Sequence, residues 1–324
     1  MANDYKKIDK PKVEPMDQKT TGRPDISIII PVFNEEGNVE PLYGQLKSVL
    51  EKLDKTYEML FIDDGSTDST YDNISKISDP SLTVIRFQRN FGKASALSCG
   101  FSRARGKIVI TMDGDLQDDP KEIPRFLDAL KTYEVVSGWK QKRNDPASKR
   151  IPSKFFNALT GILTGVHLND FNCGFKAYRS YVVKNISLYG GMHRYIPVIA
   201  HIKGYSVGEI AVEHRPRING KSKYGTRRLF AGLFDLITIK FLMTYSKKPM
   251  YIFGSLGVLF GALGSVICIY LFYIWLLGTH IGNRPLLSLG VLLVVIGIQF
   301  MAIGLIGELI ISTKNSNDWV IRMD

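Results

Sequence analysis

Residues 251–277 contain no charged side chain, and residues 286–311 contain only Glu308, near their end. As helices rising about 1.5 Å per residue, each run reaches roughly 40 Å, more than the roughly 30 Å hydrocarbon core of a bilayer. Only residues 278–285 separate them, too few for a domain, so the pair is expected to form a membrane hairpin; a pair of buried core helices is the competing reading. Lys247 and Lys248 precede the first run, Lys314 and Arg322 follow the second, and Arg284 alone marks the connection. The positive-inside rule then puts both termini and the large amino-terminal region in the cytoplasm, with Tyr273 and Trp275 at the level of an aromatic belt. Gly254, Gly257, Gly261 and Gly264 fall near one face of the first run, which predicts close helix packing within or between chains.

The rest of the 324-residue chain is long enough for a sizeable α/β domain. A net charge of +11 suits nucleic acid, an anionic membrane surface or phosphorylated substrates. The basic runs lack interleaved aromatics for base stacking, so a nucleic-acid partner is not expected. Cys99, Cys173 and Cys268 share no metal spacing and are odd in number, which points to a reducing compartment. Residues 1–24 are rich in Lys, Asp, Pro and Thr and are read as a disordered tail. The expected organisation is that tail, a domain over 25–225, an interfacial region over 226–248, the hairpin over 249–312 and a short cytoplasmic tail over 313–324. Within 227–245, Leu233, Phe234, Ile237 and Phe241 form an apolar stripe behind a basic start, as an interfacial helix does; Leu236, Ile239 and Met243 broaden the face, as in a core helix.

In the domain, β-branched runs at 26–32, 57–62, 82–87 and 107–112 alternate with helical patterns at 38–53, 67–77 and 93–104. That alternation predicts a Rossmann-like, doubly wound sheet whose ligands bind beyond the carboxyl ends of its strands. Polar clusters fall at all four ends: Pro31 to Glu36, Asp63 to Asp68, Arg89 to Lys93, and Asp113-Gly114-Asp115. Two carboxylates one residue apart suit a hard cation that shares a phosphate, although acidic turns arise for local reasons too. Asp63 and Asp64 would repel each other unless donors occupy the site. Ser66, Thr67 and Asp68 are read as helix caps. Lys93 opposes the dipole at a helix start, so a role on phosphate or acidic neighbours is expected. No Walker-type or Gly-x-Gly-x-x-Gly loop occurs.

The strings PVFNEEGNV, DDGSTDST, RNFGKASAL and DGDLQDDP, in this order, resemble family 2 glycosyltransferases of the GT-A fold. The closer resemblance, over about residues 25–312, is to membrane-anchored polyisoprenyl-phosphate glycosyltransferases, among them bactoprenol glucosyltransferases of the GtrB type and dolichol-phosphate mannose synthases. It implies nucleotide contacts from Pro31, Glu35, Asp63, Asp64 and Lys93, and a Mg²⁺ or Mn²⁺ site at Asp113, Asp115 and Gln117 on the diphosphate. In the segment 169–176, Asp170 is implied near sugar and acceptor as a base or orienting group. Lys149, Arg150 and Ser153 match the acceptor-phosphate region, with a solvated basic face as the alternative. Arg217, Ser222 and Lys223 match a loop that closes over nucleotide phosphates. The short 312–324 end departs from relatives with an extended basic tail.

The resemblance implies an inverting transfer of sugar, with glucose expected, from a UDP-sugar to polyprenyl (undecaprenyl) phosphate at the cytoplasmic face of the cell membrane. A phosphate monoester, with a second pKa near 6, is already largely dianionic at neutral pH and needs little help from a base. Partners expected by resemblance are membrane lipids, further copies of the chain in a homo-oligomer, and a flippase for the product. A processive polysaccharide synthase is the first alternative, but no Gln-x-x-Arg-Trp segment occurs. A non-catalytic nucleotide-binding membrane scaffold is the second.

Overall fold

A computed structural model describes residues 22–141, 157–188, 190–213, 215, 234–238, 240–241, 248–278, 280–281 and 285–313. Among these, the strand-forming runs lie where their β-branched content puts them: β1 (Ile26–Val32), β2 (Tyr57–Asp63), β3 (Leu82–Arg86) and β4 (Ile108–Thr111). They alternate with α1 (Val39–Leu50), α2 (Thr70–Ser75) and α3 (Lys93–Arg103). β1 pairs in parallel with β2 on one side and β4 on the other, and β2 pairs in parallel with β3.

Helices cover both faces of this sheet. Ile26, Ile28, Ile30 and Val32 point into one apolar cluster with Leu42, Leu46 and Leu50 of α1, while Ile29 points into the other with Ala96, Leu97 and Phe101 of α3. The period of two along β1 and the i, i+4 spacing along α1 both follow from burial. A fully buried Leu or Ile contributes roughly 1.5–3 kcal/mol, and β1 buries Ile26, Ile28, Ile29 and Ile30 completely. Because chain order runs outward from β1 in both directions, the gap between β1 and β4 is the switch point where a crevice opens.

The carboxyl-terminal half of the sheet is mixed rather than parallel. α4 (Ile123–Ala129) leads to β5 (Val135–Lys140), then α5 (residues 157–164), β6 (Lys176–Arg179), α6 (Ser180–Lys184), a 3₁₀ turn (Met192–Tyr195), α7 (Ile196–Ile202) and β7 (Val207–Val212). β6 runs antiparallel to both β4 and β5, and β7 is parallel to β5. Pairing Thr111 with Lys176 brings the 170–175 segment alongside the end of β4, a juxtaposition that repeating βα units do not foretell.

The two apolar helices, Pro249–Leu276 and Pro285–Thr313, are 28 and 29 residues long, and only 17% of each apolar window is buried within the protein. A soluble core helix would be mostly covered; here Val258, Ile269, Ile298 and Ile310 are exposed, as in a span facing lipid. The two helices pack together along glycines: a Cβ on Gly264 would lie 2.6 Å from the Gly290 carbonyl oxygen, and one on Gly297 2.6 Å from the Gly261 nitrogen. The glycine faces are therefore used inside the hairpin, which removes them as a ground for expecting an oligomer.

Between domain and hairpin, helical segment 234–238 has one core-facing side and one exposed apolar side. Leu236 is fully buried in a cluster with Phe171, Tyr195 and Val198, while Phe234 and Ile237 are exposed. Lys240 Nζ donates to the Leu163 carbonyl at 2.8 Å, and the Phe241 ring lies 6.0 Å from that of Phe253 in the first span.

Candidate active site

A cavity of about 330 Å³ opens beyond the carboxyl ends of β1, β2 and β4. Its walls come from Pro31 at the end of β1 and Phe33 and Glu35 after it, Asp64 after β2, Asn90 and Gly92 before α3, Lys93 at its start, and Asp113, Gly114 and Asp115 after β4. All four polar clusters converge on one crevice.

The first two loops are stapled together. Asn34 adopts a left-handed conformation (φ 53°) that Asn tolerates; its N–H donates to Ser66 Oγ and its Oδ1 accepts the Thr67 N–H, both at 2.9 Å. The Glu35 N–H donates to Thr70 Oγ1 and the Glu36 N–H to Asp68 Oδ2. Ser66 and Thr67 thus fasten loop to loop, whereas Asp68 does this and also caps: its Oδ1 accepts the N–H of Thr70, the first residue of α2, at 3.0 Å, although the N-cap position itself is Ser69, whose side chain makes no cap bond.

Asp63 and Asp64 escape mutual repulsion by diverging. Asp64 lines the cavity and accepts the N–H groups of Phe91 and Gly92 at 2.7 and 2.9 Å. Burial raises its pKa against those two hydrogen bonds. Asp63 corrects the expectation of a nucleotide contact: it is fully buried, accepts the Ser66 N–H at 2.9 Å and lies 3.4 Å from Arg86 Nε, building the turn instead of lining the cavity. Gly65 (φ 73°) passes so close to the Arg89 backbone that any Cβ would overlap it, which explains the residue between the acidic pair and Ser66.

Lys93 forms an ion pair with Asp113, so the unfavourable helix-start cation has an acidic neighbour. Burial would raise the Asp113 pKa, but Lys93, Lys140 and Lys176 overcome it and hold the carboxyl well below its usual range. The Asp113 N–H donates to Asp118 Oδ2 at 3.2 Å, and Asp118 Oδ1 lies 2.9 Å from buried Lys140. Leu116 takes a left-handed conformation (φ 62°), a strained turn between Asp115, on the cavity wall, and Gln117, whose N–H donates to Asp115 Oδ1 at 3.2 Å. Gln117 is not on the cavity wall; its carbonyl accepts the Arg215 N–H at 3.0 Å. Of the three expected metal ligands, two face the cavity. Among the described residues no three His, Cys, Asp or Glu side chains converge as a metal cluster. A pair of carboxylates nonetheless suits Mg²⁺ or Mn²⁺, which completes its shell with phosphate and water.

The 170–175 segment lies across this acidic turn. Thr111 Oγ1 donates to the Gly174 carbonyl at 2.8 Å, and a Cβ on Gly174 would overlap the Asp113 carboxylate. Asp170 is buried behind the cavity wall; its N–H donates to Glu209 Oε1 and its Oδ1 accepts the Asn172 N–H, both at 3.0 Å. Lys149, Arg150, Ser153, Arg217, Ser222 and Lys223 lie outside the described residues. Arg215 leads into the second of these regions, held beside the acidic turn by Asp119 and, at 2.9 Å, by Gln45.

Sequence reasoning missed Asp118, Glu209 and the pair His193–Arg194. Asp118 stood within the quoted acidic string; Glu209, on β7, meets Asp170 only through the sheet, and His193–Arg194 lie in the 3₁₀ turn before α7, where no local pattern marks them.

The chain matches the family model Glycosyl transferase family 2 over residues 27–187. It is 39% identical over 303 residues to dodecaprenyl-phosphate galacturonate synthase of Rhizobium johnstonii, an alignment covering 91% of this chain and 90% of that protein. It is 36% identical to undecaprenyl-phosphate 4-deoxy-4-formamido-L-arabinose transferase of Shewanella sediminis, covering 88% and 86%. Among solved structures it is similar in fold to glucosyl-3-phosphoglycerate synthase of Mycobacterium tuberculosis crystallised with Mn²⁺, UDP-glucose and phosphoglyceric acid. That likeness has a TM-score of 0.53 at 17% identity and covers 68% of this chain and 79% of that one.

Proposed function

This chain belongs to glycosyltransferase family 2, alongside enzymes that glycosylate polyprenyl phosphates, and on that premise we propose that it transfers a sugar from a UDP-sugar to a polyprenyl phosphate at the cytoplasmic membrane face. One observation carries this reading: a strand-end crevice walled by Lys93, Asp113 and Asp115 belongs to the same chain as two lipid-length apolar helices. A water-soluble donor and a lipid acceptor meet only at an interface, and segment 234–241 links the two halves there.

In this reading Pro31, Glu35 and Asp64 line the nucleoside end of the crevice, and Asp113 and Asp115 would hold Mg²⁺ or Mn²⁺ against the diphosphate. When bound, such a cation offsets charge growing on the departing diphosphate. Lys93 supports the same charge as a fixed cation. The lipid phosphate oxygen forms a bond to the anomeric carbon while the bond from that carbon to the diphosphate oxygen breaks, inverting the centre and releasing UDP. A dianionic phosphate has no proton to lose at that step, so Asp170, whose backbone Glu209 anchors, orients the 170–175 segment rather than acting as an obligatory base. Arg217, Ser222 and Lys223 are assigned to the donor phosphates, and Lys149, Arg150 and Ser153 to the acceptor side, on the resemblance alone. Glucose is the sugar expected from that resemblance; the relatives are named for galacturonate and a formamido-arabinose, so all three donors belong in the test.

The test incubates the purified chain with undecaprenyl phosphate, Mg²⁺ or Mn²⁺ and a panel of labelled nucleotide sugars, and counts label in the organic phase. Transfer from one donor, abolished by chelator and reduced at least about 10²-fold in Asp115→Asn, is expected. Nucleotide binding without lipid label from any donor would overturn the reading.

A further inference from the structure

The 3₁₀ turn Met192–Tyr195 lies between the crevice and the membrane-proximal segment, and its chemistry is not used above. It packs against α3, the helix that begins at Lys93, while Met192 and Tyr195 share an apolar cluster with Phe171, next to Asp170, and with Leu236. Two of its nitrogens, His193 Nδ1 and Arg194 Nε, are buried and have no hydrogen-bond partner among the described residues. Burying such groups unpaired costs roughly 1–3 kcal/mol each, and native chains leave them so chiefly where something else completes the site. Arg194 Nη1 reaches only to 3.9 Å from Asp235 Oδ2, a loose contact, and that carboxylate occupies the space a Cβ on Gly191 would fill. A carboxylate thus already sits in a cradle made by backbone at Gly191 and the guanidinium of Arg194. Burial, and after it the charges of Lys93, Arg194 and Lys176 against a smaller opposite pull from Asp113, pushes the His193 pKa down to about 2, which leaves a neutral imidazole able to donate from Nδ1 among cations that favour an anion.

We infer that His193 and Arg194 form an anion site for the phosphate monoester of the lipid acceptor, occupied by the Asp235 carboxylate until the lipid phosphate displaces it. The inference rests on the proposed transfer to a polyprenyl phosphate. Asp235 lies on the segment that leads to the first span, so the exchange of one anion for another occurs where a lipid head group enters from the membrane and leaves its phosphate facing Lys93 and Asp113. A phosphate accepts from both His193 Nδ1–H and Arg194 Nε–H, satisfying the two orphaned donors together.

The experiment measures binding of a short-chain polyprenyl monophosphate, the matching prenol and inorganic phosphate to the full chain in detergent with UDP present, alongside steady-state kinetics. In the wild type the monophosphate binds more tightly than the prenol. Arg194→Gln and His193→Gln each weaken monophosphate binding by about tenfold or more. They raise the acceptor KM and leave the UDP affinity and donor KM unchanged, which also reports that the variants are folded; Arg194→Lys recovers part of the loss. Asp235→Asn, which removes the competing carboxylate, tightens monophosphate binding. Unchanged monophosphate affinity in both glutamine variants with UDP binding intact would overturn the inference, as would a parallel fall in UDP affinity, which would give the pair to the donor. Competition by inorganic phosphate at the same concentration as the lipid would make it a free-phosphate site and overturn the lipid assignment. A wild type that does not distinguish monophosphate from prenol would instead defeat the acceptor reading itself, before any variant is compared.

Discussion

Asp113 is kept ionised by Lys93, Lys140 and Lys176 in spite of burial, and its orientation depends on the absence of a side chain at residue 174. The same turn is braced from behind by Asp118, which accepts the Asp113 N–H and pairs with Lys140. Replacing Gly174 by Ala puts a methyl group into the space of the Asp113 carboxylate, which must swing away. A displacement of about 1 Å at a reacting centre can cost on the order of 10²-fold, so Gly174→Ala should lower kcat by about that factor. Thermal unfolding should show the variant folded, and a kcat within about twofold of wild type would mean that Asp113 has no fixed task. Asp64 teaches the opposite lesson from its neighbour Asp63: adjacent acidic residues of identical type take a cavity wall and a buried turn because Asp63 ends β2, where it accepts the Ser66 N–H, and Asp64 opens the following loop, where it accepts the Phe91 and Gly92 N–H groups.

Elements are joined at a few charged or close-packed points. Asp79 accepts hydrogen bonds from Tyr43 and Lys47 of α1 and from Ser81 before β3. Burial opposes ionisation there, but those donors hold the carboxyl well below its usual range. Because the folded pKa lies below the unfolded value near 4, the stabilisation is fully present above the ordinary carboxylate range and is lost as pH falls toward the folded value. Asp79→Asn should therefore be less stable than wild type at neutral pH, and denaturant titrations should show the gap narrowing from about pH 5 to about pH 2. A gap independent of pH would mean that the carboxylate's charge contributes nothing. In the hairpin, a Cβ at Gly297 would collide with the Gly257 and Gly261 backbone, whereas one at Gly261 meets nothing within 4 Å. Gly297→Val should destabilise the detergent-solubilised protein by about 1–3 kcal/mol, and Gly261→Ala should be tolerated. Equal melting temperatures for the two variants would contradict this packing.

Across the whole molecule, the 234–241 segment couples a rigid sheet domain to the spans: Leu236 is buried against Phe171 and Tyr195, and Phe241 meets Phe253. Exposed Phe234 and Ile237 on the same segment suit the interfacial layer, where an apolar face can leave water without leaving the protein surface. Leu236→Asp would bury an unpaired carboxylate beside Phe171 and detach the segment. UDP binding, which depends on the crevice some distance along the sheet, should persist within a factor of about two, while turnover with lipid acceptor should fall at least about tenfold. Calorimetry with UDP and the lipid-transfer assay read the two separately, and loss of both together would mean that the segment supports the fold and not the meeting of substrates.

The hydrophobic pattern alone determined the first four strands, their helices and the two spans, because a buried parallel strand and a lipid-facing helix each demand a run of apolar residues that local sequence displays. Strand-end position likewise marked Pro31, Glu35, Asp64, Lys93, Asp113 and Asp115 for a shared crevice, since alternating βα units leave all carboxyl ends at one edge. Tertiary structure alone decided the rest. The antiparallel entry of β6 is a pairing between segments far apart in the chain, and from it follow the contact of Gly174 with Asp113 and the burial of Lys176 and Asp170 behind the wall. Whether a carboxylate faces solvent, as for Asp64 against Asp63, and whether glycines pack within one chain, as in the hairpin, depend on which backbone lies opposite. That choice belongs to long-range packing, which residue type and spacing do not encode locally.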